Sequence, residues 1–235
     1  MTGFLLLDKP AGLTSHDVVN RIRRLTGERR VGHAGTLDPF ATGLLIVGVG
    51  RESTREFPKL VGLDKTYQAT FVLGATSDTD DLTGATIPLS ENRLSTLRAL
   101  TLSRVQEALQ KFVGPIEQIP PTYSAIKIGG KKMYEAARAG KPLEAKPRPV
   151  IIYSIEQIAL AENSLSDKTR VVTLVIHCSS GTYIRAIARD LGQALGVGGY
   201  VSTLRRTHIG PFTIEESTSI DTPHLIAINT FLSRL

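Results

Sequence analysis

Residues 31–45 contain the side chain that is best suited to chemistry, a single carboxylate, Asp38, among three glycines and one proline. Pro39 disfavours helical backbone at Asp38, while Gly35 and Gly43 accept conformations that other residues avoid. The apolar run that follows predicts a strand. We therefore expect Asp38 on a bent loop supported by a rigid strand, where an ionised carboxylate can act as nucleophile or base.

The alternative for Asp38 is structural, since most Asp-Pro pairs simply begin a turn. A longer match favours chemistry: GTLDPFATGLL, residues 35–45, resembles the GxLDPxATGxL catalytic motif of the TruB family of tRNA pseudouridine synthases. KPAGLTS at residues 9–15 and GTYIR at residues 181–185 resemble two further motifs of this family. The resemblance implies that Asp38 is catalytic. It also implies that the protein isomerises uridine to pseudouridine in tRNA, at uridine 55 of the T-loop.

The same resemblance assigns roles to four other side chains. Tyr67, in KTYQATFVLG, corresponds to a tyrosine that stacks on the target base, and Tyr183 is implied to pack against that base. Arg185 is implied to pair with Asp38, and such a pair holds a carboxylate by two parallel hydrogen bonds and favours its ionised form. His33 is implied to fill the space that the flipped nucleotide leaves. Residue type alone leaves a structural alternative for each of them. The tyrosines could simply pack in the core, Arg185 could lie on a helix surface, and His33 could form a hydrogen bond within a loop.

Positive charge is the second signal of function. The net charge is +6, and residues 124–148 carry seven lysines and arginines against two glutamates. This composition predicts a flexible basic insertion with a short helix at Met133–Ala139, and such a surface gives salt-sensitive affinity for RNA, although a solvated basic loop is the alternative. Leu204 is implied by the family to pack at the uridine pocket. The predicted contacts to the RNA backbone are Lys127, Lys131, Lys132, Lys141, Arg205 and Arg206.

Other classes of chemistry find less support. A glycoside hydrolase usually needs two cooperating carboxylates, and the motifs offer only Asp38. The sequence has no GxxxxGK[ST] phosphate loop, the aspartates of residues 77–84 lack calcium-loop spacing, and the histidines are scattered. Pseudouridine formation involves no redox change, so we expect neither cofactor nor metal. A non-catalytic tRNA-binding or tRNA-folding protein that uses the basic surface remains the alternative.

Hydrophobic periodicity predicts the elements that position these residues. Strands are expected at 4–7, 44–49, 65–73, 150–158, 171–178 and 201–209. Helices are expected from a cap at Thr14 or Ser15 to Gly27, at 53–57 before Pro58, from Ser103 to Gly114-Pro115, after Gly181, and at 222–235. Polar turns are expected at 77–84 and 161–168.

These elements predict an α+β protein. The resemblance implies the pseudouridine synthase fold, a central mixed, mostly antiparallel sheet flanked by helices, with the basic RNA-binding segment inserted. We expect residues 1–235 to form a single catalytic domain that contains the 124–148 insertion and lacks a separate C-terminal PUA domain. The expected partner is the T-arm stem-loop of tRNA, bound by a monomer. With Cys178 as the only cysteine and no signal or membrane segment, a cytoplasmic location is expected.

Overall fold

The computed structural model describes residues 2–163 and 166–235, which divide into two compact units. The first unit comprises Met1–Gln68 and Leu204–Leu235, and the second comprises Ala69–Thr203. The strands are β1 (Gly3–Lys9), β2 (Val31–Ala34), β3 (Thr42–Val49), β4 (Lys65–Leu73), β5 (Ala75–Ser77), β6 (Thr86–Pro88), β7 (Gly114–Gln118), β8 (Lys127–Ile128), β9 (Lys131–Lys132), β10 (Arg148–Asn163), β11 (Ser166–Cys178), β12 (Gly199–Ile209) and β13 (Phe212–Thr213). The helices are α1 (Ser15–Thr26), α2 (Arg51–Arg55), α3 (Phe57–Val61), α4 (Leu94–Arg98), α5 (Leu102–Gln110), α6 (Met133–Arg138), α7 (Ile184–Leu195) and α8 (Ile228–Leu232), with short 3₁₀ turns at Glu91–Arg93 and Ile214–Glu216.

Strand β3 is the centre of the first unit. It pairs antiparallel with β1 and β2 and parallel with β12, where Arg205 lies opposite Thr42 and Arg206 opposite Gly43. In the second unit β10 lies antiparallel between β11 and β7, while β5 with β6 and β8 with β9 form small hairpins. The strands are mixed and mostly antiparallel with helices packed on them, so the predicted fold class is confirmed.

Alternating side chains of β1 fill two apolar clusters in the first unit, because successive strand residues point to opposite faces. Leu5 and Leu7 pack with the apolar stripe of α1, and Phe4 and Leu6 pack with Phe231 of α8. Helix α1 begins as predicted at a Thr14 cap, a reciprocal capping box with the side chain of its third residue. It ends at Gly27 in the left-handed conformation.

Several boundaries differ from the predicted ones. Pro58 lies in the first turn of α3 instead of ending a helix. Backbone N–H groups in the first turn have no partner within the helix, so the N–H that proline lacks is not needed. Helix α5 is capped by Thr101, not Ser103, and Gly114 opens strand β7. Strands β10 and β11 extend through most of the predicted 161–168 turn, of which residues 164 and 165 lie outside the described residues.

The C-terminal helix is also shorter than predicted. Ile226 exchanges two backbone hydrogen bonds with Phe4, of 2.9 and 2.8 Å, so the chain is extended beside β1 before α8 begins. Pro223 disfavours helical backbone at Thr222, the first residue of the predicted helix. None of the helices in the described part of the chain has the length and apolar character needed to cross a bilayer.

Candidate active site

Asp38 lies in the loop of residues 35–41 that joins β2 to β3 in the first unit. Asp38 is half-buried. Its backbone carbonyl accepts a hydrogen bond of 3.1 Å from the Ala41 amide, which closes a tight turn. Strand β3, buried along nearly its whole length, supports one end of this loop. The predicted bent loop on a rigid strand is therefore present.

The KPAG segment holds the backbone just after Asp38. The amide of Gly12 donates to the Pro39 carbonyl at 2.8 Å, and the Nζ atom of Lys9 donates to the carbonyls of Leu13 at 2.7 Å and Pro39 at 3.3 Å. Lys9 is fully buried. Burial lowers its pKa to about 8, against the opposing attraction of the Asp38 carboxylate. Lys9 thus links the end of β1 to the Asp38 loop and places a positive charge near Asp38.

Ser15 holds the backbone just before Asp38. Its hydroxyl accepts from the Leu37 amide at 2.9 Å and donates to the Leu37 carbonyl at 3.2 Å. Because Ser15 is the first residue of α1 and is itself buried, the loop is tied to the start of that helix. Together with the Lys9 contacts, this fixes the peptide on both sides of Asp38.

Arg206 supports the loop from inside the protein. It is 1% exposed, and its guanidinium donates to the carbonyls of Leu44 at 2.8 Å, Gly35 at 3.0 Å and Thr36 at 3.4 Å. A side chain at Gly43 would clash with its backbone, since a Cβ there would lie 2.3 Å from the Arg206 carbonyl oxygen. This placement differs from the predicted contact with RNA phosphates, because the buried guanidinium is committed to loop carbonyls.

Arg205, the residue before Arg206 on β12, has a different environment. Its guanidinium forms a two-point ion pair with Asp8, of 3.0 and 2.7 Å, and its side chain is 38% exposed. It lines an open cleft of about 550 Å³ in the first unit together with Lys9, Thr42 and Thr218. Arg205 is therefore accessible, in contrast to Arg206, and the predicted RNA contact remains open to it.

The other predicted substrate residues of the first unit lie on its strands. His33, on β2, has a buried Nδ1 with no hydrogen bond to the described residues. Burial lowers its pKa, and the charges of Arg206 and His16 lower it further, so the imidazole is neutral at neutral pH. Tyr67 on β4 is 9% exposed and Leu204 on β12 is 7% exposed.

In the second unit, Tyr183 immediately precedes α7 and is oriented by a side chain that the sequence did not reveal. The amide group of Gln118 accepts from the Tyr183 N–H at 2.8 Å and donates to the Tyr183 carbonyl at 3.1 Å. Gln118 is 2% exposed and ends strand β7. This two-way contact fixes the backbone that leads into GTYIR. No local pattern around Gln118 distinguishes it from a surface glutamine.

Arg185 is buried at the start of α7 and is held by the segment of residues 77–84. Its Nη1 atom lies 3.3 Å from Asp81 Oδ2 and donates to the Thr79 carbonyl at 2.8 Å, and its Nη2 atom donates to the Tyr123 carbonyl at 3.0 Å. The predicted polar hairpin turn at 77–84 is present between β5 and β6. It also supplies a buried carboxylate for Arg185, which the sequence analysis missed.

A second ion pair lies beside the first. Asp80 contacts Arg189 at 3.1 Å, one helical turn after Arg185, and Arg189 also donates to the Ile119 carbonyl at 2.9 Å. Burial raises the pKa of Asp80, against the opposing charge of Arg189. Arg185 and Arg189 lie four residues apart and so share one face of α7, where each contacts one of two adjacent aspartates in the turn.

The basic insertion contains the predicted short helix, α6, and a hairpin. Gly129 and Gly130 have φ values of +58° and +82°, as a two-residue hairpin turn between β8 and β9 requires. Met133 is buried and anchors the start of α6. Lys132 is engaged by Glu135 at 3.2 Å. Three other predicted contacts to RNA are exposed: Lys127, Lys131 and Lys141.

The pKa of Lys9 gives a testable pH dependence. Because the folded-state pKa of about 8 is below the ordinary 10.5, the unfolded chain binds this proton more tightly. Protonated Lys9 therefore lowers stability below pH 8, and this cost disappears as pH rises from 8 to 10.5. Between pH 7 and pH 10 we expect the unfolding free energy of the wild type to rise by roughly 2 kcal/mol relative to Lys9→Met. Urea unfolding of both proteins at both pH values measures the difference, and parallel pH curves would contradict it.

Comparison with known proteins supports one family. The model described as TruB family pseudouridylate synthase (N terminal domain) matches residues 23–184, and the model described as tRNA pseudouridylate synthase B C-terminal domain matches residues 185–230. A tRNA pseudouridine synthase B from Mycobacterium bovis is 44% identical over 93% of this chain and 70% of its own length. The corresponding protein from Corynebacterium jeikeium is 47% identical over 94% of this chain and 70% of its own length.

Solved structures give the same result. A chain in the crystal structure of a Cbf5-Nop10-Gar1 complex matches with a TM-score of 0.66 and 30% identity, over 93% of this chain and 54% of that one. A chain from an H/ACA RNP bound to a substrate RNA containing 2′-deoxyuridine matches with a TM-score of 0.63 and 28% identity. The match covers 93% of this chain and 51% of that one. With two family models spanning most of its length and relatives above 40% identity, the chain belongs to the TruB family of pseudouridylate synthases.

Proposed function

We propose that this protein isomerises uridine to pseudouridine in tRNA, at uridine 55 of the T-loop, acting as a monomer on the T-arm stem-loop with Asp38 as the catalytic residue. Family membership and the names of the relatives support the reaction class. The observation that carries the proposal is the bracing of the Asp38 loop. Side chains from three separate elements, Lys9, Ser15 and Arg206, are bonded to backbone groups of the loop or of its junction with β3.

The reaction needs little beyond a positioned carboxylate. The N1–C1′ bond of uridine breaks, a C5–C1′ bond forms, C5 loses a proton and N1 gains one, so atoms balance without an oxidant or reductant. Asp38 serves as the nucleophile or base. A fixed loop contributes by holding the carboxylate near its target, which removes part of the entropic cost of the reaction. The positive charge of Lys9 nearby favours the ionised carboxylate.

The remaining site residues hold the extruded base and the carboxylate. We assign Tyr67 and Tyr183 to packing against the uracil ring, and Leu204 to the wall of its pocket, because aromatic and apolar side chains receive flipped bases. Arg185 pairs with Asp38 in this proposal, as the family motif implies. Its burial and its bonds to the 77–84 segment support a rigid guanidinium. We assign neutral His33 to the space that the nucleotide leaves.

One assay tests the proposal directly. A tRNA transcript is incubated with the protein, and pseudouridine is mapped position by position. The expected result is modification at position 55. If the wild-type protein binds tRNA and forms no pseudouridine, the enzyme assignment is wrong and the non-catalytic alternative is favoured. Modification only at other positions would overturn the choice of target.

The exposed lysines of the insertion should supply affinity for the T-arm. Charge reversal at Lys127, Lys131 and Lys141 should weaken binding of a T-arm stem-loop by ~10-fold or more near 0.1 M salt. It should also make the slope of log binding constant against log salt concentration shallower by ~2, since each lost phosphate contact reduces that slope by ~0.7 to 0.9. Filter binding over a salt series measures both quantities.

The matched control reverses three exposed positive charges elsewhere in the second unit, at Arg98, Arg104 and Lys111. The net charge changes equally, so a specific insertion surface predicts a much smaller effect in this control. Equal effects in the two triple variants would remove the insertion from the RNA interface.

A further inference from the structure

An arginine-rich surface of the first unit has no role in the function proposed above. Five arginines at the end of α1, in the following turn and in α2 are all exposed: Arg24, Arg29, Arg30, Arg51 and Arg55. Among the residues that the structure describes, none of these five side chains forms an ion pair. The acidic side chains interspersed with them are Glu28 and Glu52, so the surface is strongly positive.

The fold brings these arginines together from separate parts of the chain. The Gly50 amide donates to the Arg30 carbonyl at 2.7 Å, which places Arg51 at the start of α2 beside the turn that follows α1. Arg51 and Arg55 are four residues apart and share one side of α2. The guanidinium of Arg23 donates to the Val31 carbonyl at 2.9 Å, which ties the end of α1 to the same edge.

This surface lies at the opposite end of the β2–β3 pair from Asp38. Val31 pairs with Val49 at the arginine end, and Ala34 pairs with Ile46 nearer the catalytic loop. The three steps from Val31 to Ala34 span ~10 Å at ~3.3 Å each, so the arginine end of the strand pair is about that far from the end nearer the loop. We therefore do not assign these arginines to the reacting uridine.

The side-chain chemistry indicates the ligand. Guanidinium groups bind phosphate by two parallel hydrogen bonds and stay charged at all relevant pH values, so a row of unpaired arginines suits a polyphosphate backbone. We propose that Arg24, Arg29, Arg30, Arg51 and Arg55 form a second phosphate-binding surface that contacts tRNA beyond the T-arm. The inference rests on the proposed function, in which the basic insertion already holds the T-arm.

The test compares two RNA probes with one triple variant, Arg29→Gln with Arg30→Gln and Arg51→Gln. Binding of a full tRNA transcript should weaken ~10-fold or more near 0.1 M salt, with the salt slope reduced by ~2 to 3. Binding of an isolated T-arm stem-loop should change less than ~2-fold, because that probe lacks the phosphates in question. Turnover at saturating tRNA should be unchanged, since the surface is remote from Asp38.

Two further triples serve as controls. Replacing the same arginines by lysine keeps the charge and should restore most of the salt slope. Replacing Arg98, Arg104 and Lys111 by glutamine changes the net charge equally and should leave tRNA binding within ~2-fold. Thermal melting of each variant verifies that the fold is retained.

The outcomes separate this inference from the proposed function. Unchanged tRNA binding, equal losses on tRNA and stem-loop, or an equal loss in the control glutamine triple would each overturn the arginine surface. Pseudouridine formation by the wild type is measured in parallel. If the wild type forms pseudouridine and the triple variant binds tRNA normally, only the surface is wrong. If the wild type forms none, the proposed function fails whatever the variants bind.

Discussion

Replacing Asp38 by asparagine should reduce pseudouridine formation by ~10⁴-fold, which corresponds to a loss of about 5 kcal/mol of transition-state stabilisation. Asparagine keeps the size of the side chain and removes its negative charge, so it cannot act as nucleophile or base. Binding of the T-arm stem-loop should stay within ~3-fold, because affinity for RNA comes mainly from contacts to phosphates. Single-turnover formation of pseudouridine and filter binding measure the two effects separately.

The control for this variant is Asp221→Asn, which removes an exposed carboxylate whose ion-pair partner among the described residues is Arg21. A surface pair of this kind contributes little to stability, so activity should be unaffected. If Asp38→Asn retains turnover within tenfold of the wild type, Asp38 is not the catalytic residue. A large loss of binding with little loss of turnover would instead assign the loop to RNA recognition.

The second large effect is expected at Asp81, the buried carboxylate beside Arg185. Both side chains are about 5% exposed, and breaking a buried ion pair by removing one partner typically costs ~3 to 5 kcal/mol. Asp81 also accepts hydrogen bonds from the hydroxyls of Thr79 and Thr83 and from the Thr83 amide, so its loss removes three further hydrogen bonds that hold the turn. We therefore expect Asp81→Ala to lower the unfolding free energy by ~3 kcal/mol and to reduce turnover by misorienting Arg185.

Asp78→Ala is the matched control, because it removes a carboxylate from the same turn. Asp78 is exposed and accepts one hydrogen bond of 2.8 Å from the Ala85 amide, which predicts a cost of ~1 kcal/mol. Urea unfolding and single-turnover assays of both variants test the difference. Equal destabilisation would show that the turn, and not the Arg185 pair, is what Asp81 supports.

A conservative substitution at Asp81 separates its effect on the position of Arg185 from its effect on stability. Asp81→Asn keeps the shape of the side chain and one of its two acceptor oxygens but removes the charge. If Asp81 acts through Arg185, turnover by this variant should fall at a temperature where the protein remains folded, while the affinity for the stem-loop is retained. Wild-type turnover in a folded Asp81→Asn protein would limit Asp81 to a structural role.

Much of the local structure could be predicted from the sequence because the signals are local. Strand β4 has the predicted bounds, Lys65–Leu73, since its apolar residues alternate without interruption. The start of α1 follows from Thr14, whose side chain bonds to backbone within the first helical turn. Each of these signals involves residues that are close in sequence.

The bracing of the site could not be predicted in this way, because its contacts join distant parts of the chain. Gln118 bonds to Tyr183 across 65 residues, and Arg185 reaches Thr79 across 106 residues. A buried partner of this kind leaves no periodicity or motif in its own neighbourhood. Its role depends on which elements the fold brings together.

Arg205 and Arg206 show this division most clearly. The sequence determined that two arginines occupy adjacent positions on a strand, and that they must therefore face opposite sides. Only the tertiary structure decided which of them is buried, through the parallel register that places Arg206 opposite Gly43. A shift of one residue would exchange the two side chains, because the side-chain repeat of a strand is two. Register is set by long-range pairing, and so the residue that braces the Asp38 loop emerges only from the fold.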